Sequence, residues 1–119
     1  MDTTEQYIKQ SDCEEIQGQR AEGVYEPGDY SWDGYGITYH PTHSVARSAK
    51  RQIRLPGQDE LQGMLKLPLL DLLCGFRDFI EFDKNPSYAA LFTSMEQLWL
   101  AFVMKEKFNK TWDGDKWVK

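Results

Sequence analysis

Imidazoles are the side chains best suited to metal ligation and to proton transfer near neutral pH, and this chain carries two, spaced by three in His40-Pro41-Thr42-His43. A metal centre needs one or two further ligands at matching spacing, and the sequence offers none, so no metal is expected. The two cysteines, Cys13 and Cys74, belong to no paired motif and read as reduced thiols. Cys74 lies within Leu72-Leu73-Cys74-Gly75-Phe76, where a thiol packs as a small apolar side chain, and a core position is expected for it. The closest carboxylate pairs, Asp59 with Glu60 and Asp78 with Glu81, fall on predicted helix surfaces, where charge is solvated. Phosphate-binding glycine loops, nucleophile elbows, zinc-protease pairs and dinucleotide fingerprints are all missing. A non-enzymatic chain without a cofactor is the expectation.

Charge is the stronger signal. The net charge of -5 conceals a segregation: residues 1 to 33 carry -7, residues 34 to 58 carry +4 with no carboxylate, and the remainder carries -2. The middle stretch holds Arg47, Lys50, Arg51 and Arg54, and four of the six tyrosines, including Tyr35 and Tyr39, lie in or just before it. Cations on one segment can contact phosphates, and neighbouring aromatics can stack on bases. The same cations can instead fold back onto the acidic amino-terminal third, and the acidic whole falls well short of a basic nucleic-acid domain. Arg47, Lys50, Arg51, Arg54, Tyr35 and Tyr39 are therefore the candidate anion or partner contacts.

The elements that must position these residues are legible in part. Thr3-x-x-Gln6 predicts a capped helix over 3 to 17 with a thin apolar stripe at Ile8 and Ile16, ended by Gly18. Asp33-Gly34 between Tyr30-Ser31-Trp32 and Gly36-Ile37-Thr38-Tyr39 predicts a hairpin whose large residues share one face, read as core. Residues 41 to 52 read as a loop, with a short exposed helix from Ser44 as the other option, and Ile53 to Pro56 as an edge strand. A helix follows from Gln58 to Leu65. Another runs from Pro68 to about Phe82, with Leu69, Leu72, Leu73, Phe76, Phe79 and Ile80 facing inward. Thr93-Ser94-Met95-Glu96 predicts the cap of a central helix over 94 to 109, apolar almost all round. A last hairpin is expected at Trp112-Asp113-Gly114 to Trp117. Trp-Asp-Gly thus occurs twice: either both hairpins join one sheet, or the match is a common turn by chance.

The 119 residues suit one domain. An α+β fold is expected, with a helical core and a small antiparallel sheet built from one or two hairpins. The longest apolar run, Leu98 to Met104, is far short of the ~20 residues of a membrane span. The acidic, polar start does not read as a secretory signal, so the chain is expected in the cytoplasm.

Two stretches carry a resemblance: Ile53-Arg54-Leu55-Pro56-Gly57-Gln58-Asp59-Glu60-Leu61-Gln62-Gly63-Met64-Leu65, and Phe92 to Lys107 with the following Trp112-Asp113-Gly114. In these the chain resembles small uncharacterised proteins encoded in phages, prophages and genomes of Firmicutes. The resemblance covers the second half and implies an origin, with no catalytic or binding residues to carry over. The leading expectation is a phage or mobile-element accessory protein acting through contacts with a protein partner. The alternative is nucleic-acid association through the basic 40 to 54 segment.

Overall fold

Thr4 starts the first helix by a relay of oxygen acceptors. Asp2 Oδ1 accepts from the Thr4 N–H at 2.8 Å and from its hydroxyl at 2.7 Å, and Thr4 Oγ1 accepts from the Tyr7 N–H at 3.3 Å. Capped in this way, α1 (Glu5–Ser11) ends at Asp12, whose N–H bonds to Ile8 O. Cys13 is extended (φ -147°, ψ 155°), and α2 (Glu14–Gln17) follows, ending at Gly18. The single helix expected over 3 to 17 is thus two short ones, because Cys13 leaves helical geometry and the Thr4 hydroxyl does the capping. The first of them buries more than the thin stripe expected of it. It buries Tyr7, Gln10 and Ser11 completely.

The computed structural model describes residues 1–20, 23–45, 52–82 and 86–119. Its fold is α+β, and the chain divides into two compact units, Met1–Gly57 and Gln58–Lys119. In the first unit, β2 (Asp29–Trp32) and β3 (Ile37–His40) form the expected hairpin, with Tyr30 opposite Tyr39 and Trp32 opposite Ile37. The turn holds because Asp33 Oδ1 accepts from the Tyr35 and Gly36 N–H groups at 2.8 and 2.9 Å, while Gly34 takes a φ of +97°. β5 (Ile53–Leu55) pairs with the other side of β2, giving the order β3-β2-β5. The Tyr7 hydroxyl donates to Pro56 O and ties α1 to the end of β5. β1 (Val24–Tyr25) pairs with β4 (Ser44–Val45), so the stretch read as a loop contains a strand.

In the second unit, α3 (Gln58–Met64) buries Leu61 and Met64, and α4 (Leu69–Phe82) and α5 (Pro86–Ala89) follow. α6 (Met95–Phe108) is the core helix: Trp99, Leu100, Ala101, Phe102, Val103 and Met104 are all buried. Full burial of each large side chain contributes about 1.5 to 3 kcal/mol. The cap sits one residue later than expected. Ser94 Oγ accepts from the Gln97 N–H, and Gln97 reaches back to the Thr93 backbone and hydroxyl, so Ser94-x-x-Gln97 replaces Thr93-x-x-Glu96. β6 (Thr111–Trp112) and β7 (Trp117–Val118) close the chain, with Trp112 and Trp117 ring centroids 5.1 Å apart. This hairpin is a separate two-stranded sheet, so the two Trp-Asp-Gly segments share turn chemistry and no sheet. No described helix is long and apolar enough to cross a membrane.

Candidate protein-contact surface

Pro68 opens α4 with a fixed φ, and its carbonyl accepts from the Leu72 N–H at 2.9 Å. From there, ~100° of rotation per residue sends the leucines to two sides of the helix. Leu72 and Phe79 are buried, 5% and 8% exposed. Phe76 stacks on Trp99 of α6 with centroids 3.9 Å apart, and Phe79 tilts against Phe102 at 5.4 Å. One side of α4 therefore already has its apolar neighbours.

The other side is open to solvent. Leu69 is 68% exposed, Leu70 74% and Leu73 48%; Leu67, just before the helix, is 46% exposed. Cys74 is exposed beside them. Three expectations are corrected here: Leu69 and Leu73 do not face inward, and Cys74 is not a core thiol. The physical reason is geometric. Five leucines within residues 67 to 73 are more than one inward stripe can hold, and the stripe is filled by Leu72, Phe76 and Phe79, spaced by four and three. That surplus was the sequence signal for the surface, and reading the whole segment as one broad face missed it.

Charges bracket the leucine row. Lys66 lies exposed at its amino-terminal end, and Arg77, Asp78 and Glu81 lie exposed toward its carboxyl end. Arg77 Nη2 is 3.5 Å from Asp78 Oδ1. A shallow recess lined by Met64, Leu65, Lys66, Leu67, Glu106 and Lys107 adjoins the amino-terminal end, where Lys107 Nζ donates to Met64 O. Such a surface, apolar at its centre and charged at its rim, is arranged as protein interfaces are.

The residues singled out for anion or partner contact are dispersed. Tyr35 is 82% exposed at the hairpin turn, and Tyr39 is 52% exposed on β3 with its ring 5.0 Å from that of Tyr30. Ile37 is exposed on the same sheet face, and Tyr30 and Trp32 are half-buried, so the hairpin's large residues are not the core expected of them; the buried side chains on that face are Ile53 and Leu55 of β5. Arg54 is 4% exposed; its guanidinium donates to Ile16 O at 3.2 Å, and its backbone N–H donates to Gln17 Oε1. It is a structural cation within the first unit and not a surface contact. Arg47, Lys50 and Arg51 lie outside the described residues.

His40 does something other than ligate. Its ring stacks flat on Tyr25 at 3.9 Å, its Nε2 is 2.9 Å from Ser31 Oγ and its Nδ1 3.3 Å from Ser44 Oγ. A serine against an imidazole is the geometry of an activated nucleophile, but Ser31 is 1% exposed, so its hydroxyl is closed to a substrate. The arrangement instead links the hairpin to β4. His43 lies 3.9 Å from Glu26 at the surface. No group of three or more metal-ligating side chains occurs among the described residues. No protein-family model, curated protein or solved structure matches the chain.

Proposed function

We propose that the chain is a non-enzymatic accessory protein of a phage or mobile element that works in the cytoplasm by binding protein, with the exposed face of α4 as its contact surface. The observation that carries this reading is the row Leu69, Leu70 and Leu73, open to solvent on a helix whose opposite side packs through Leu72, Phe76 and Phe79. Contiguous exposed leucines cost free energy in a chain that acts alone and gain it when a partner covers them. The test is photo-crosslinking in the cells that produce the protein, with a benzophenone amino acid at position 70 and, as control, at Asp115 in the terminal hairpin. Discrete protein adducts at position 70 only are expected. An absence of adducts there, or adducts with nucleic acid, overturns the reading.

Exposed Tyr35 and Tyr39 favour a second reading, in which they stack on nucleic-acid bases. The burial of Arg54 removes one of its four cations. Retention on polynucleotide at low ionic strength, lost on adding salt and on Tyr39→Ala, is what this reading requires; passage without retention ends it.

A further inference from the structure

We infer that the outer edge of β3 is a docking site for an extended, uncharged segment of a protein partner, which adds to the three-stranded sheet as a further strand. The site belongs to the first unit and is independent of the α4 face. The two edges of this sheet are treated differently. At β5, the Gln17 side chain imitates a strand: its Oε1 accepts from the Arg54 N–H at 3.0 Å, and its Nε2 donates to the Arg54 carbonyl at 2.8 Å. The Arg54 backbone therefore points away from β2, leaving Ile53 and Leu55 to bond Trp32 and Tyr30. Alternation along β2 then turns Ser31 toward Thr38 of β3, in step with the Asp33 N–H, which donates to Gly36 O at 3.2 Å. By the same alternation Ile37 and Tyr39 aim their N–H and C=O groups off the open edge, and no described residue bonds to them.

An open edge is ordinarily blunted by charge, proline or a bulge. This one is not: residues 34 to 45 include no lysine, arginine or carboxylate, and Pro41 falls just past the strand. Outward N–H and C=O groups on alternate residues match the spacing of another extended backbone, which fixes the class of occupant. Side chains narrow it further. Ile37 and Tyr39 are exposed and share a face with Tyr30 and Trp32, while Thr38 lies on the other face with Ser31. The incoming strand therefore carries two large apolar residues flanking a small polar one. The ladder runs out of donors on both sides, because the Tyr35 N–H is held by Asp33 Oδ1 and Pro41 has none, so binding is weak and reversible.

A phage-displayed library of random linear heptapeptides, panned against the intact protein, supplies the probe. The peptide enriched most is then titrated while amide exchange is followed by nuclear magnetic resonance. Enriched sequences should show the apolar, small polar, apolar alternation without charge. The peptide should slow exchange at the Ile37 and Tyr39 amides and leave Thr38, already bonded to β2, little changed. Tyr39→Pro removes an outward N–H and should weaken binding more than tenfold. Ile37→Lys keeps every backbone group, charges the edge and should weaken binding severalfold, giving a second measure if the proline variant does not fold by circular dichroism. No enrichment, a bound peptide that leaves the Ile37 and Tyr39 amides unprotected, or one indifferent to every folded variant overturns the inference. So does protection of these amides on raising the protein concentration alone, which makes a second copy the occupant, or on adding oligothymidylate, which gives the edge to nucleic acid. Crosslinking at position 70 reports only on α4, so either reading can fail without the other.

Discussion

Asp113 shows how one side chain sets a local structure. Its Oδ1 accepts from the Lys116 N–H at 2.8 Å and the Asp115 N–H at 2.7 Å, the same arrangement Asp33 makes in the first hairpin. Those two N–H groups, Lys116 first, hold the Asp113 carboxyl below the ordinary aspartate range. A carboxyl whose pKa is depressed by folding stabilises the hairpin at pH values above its unfolded pKa, and that contribution fades as pH falls through the folded one. Protection of the Lys116 amide, its exchange rate relative to the intrinsic rate at each pH, should therefore fall as acid is added below about pH 4, and Asp113→Asn, which keeps an acceptor without a charge, should flatten the profile. An unchanged acid profile in the variant would disconnect the carboxylate from the turn. Ser94 is the second such residue: Ser94→Ala should cost about 1 kcal/mol in urea unfolding, because the Gln97 N–H loses its acceptor. These residues were legible from sequence type alone, although the cap was off by one, since Thr93-x-x-Glu96 and Ser94-x-x-Gln97 overlap and only Gln97 turns inward to reach Thr93. Cys74 was misjudged for the opposite reason: its apolar neighbours are real, but two of them, Leu73 and Leu70, face water with it.

At the scale of elements, α4 is the informative case. Its two faces should respond oppositely to substitution. Leu72→Ala removes a buried side chain and should lower stability by about 2 to 5 kcal/mol, whereas Leu70→Ala on the solvent side should change it by less than about 0.5 kcal/mol. Thermal or urea unfolding of the two variants in dilute solution measures this directly; equal losses would place both leucines in the core. α6 was readable because a helix apolar on every side has only one environment to occupy, and Trp99 to Met104 occupy it. The two hairpins were readable too from their Asp-Gly pairs, but not their register: each loop holds four residues, so Trp32 faces Ile37 and Trp112 faces Trp117. The break after α1 was not, since nothing in Asp12-Cys13 is a strong breaker, yet Cys13 is extended. Strand β4 escaped notice because two residues have no periodicity to read, and its partner β1 is equally short.

For the molecule as a whole, the distribution of exposed apolar side chains matters more than net charge. The basic middle segment pointed to anion or partner contacts, yet Arg54 is buried inside the first unit, while the leucines of α4 stand open. Hydrophobic pattern is a count along the chain, and which surplus residue is left outside depends on packing that only the fold decides. The open leucine face was thus the least legible feature and the one the proposed function rests on. Carbene footprinting tests it most directly, by labelling the protein once in dilute purified form and once inside the cells that produce it. Strong labelling of Leu69, Leu70 and Leu73 in the dilute sample, with protection of the three in the cell and constant low labelling of Leu72 and Leu100, is the predicted result. Equal labelling of the three leucines in both states would contradict the account.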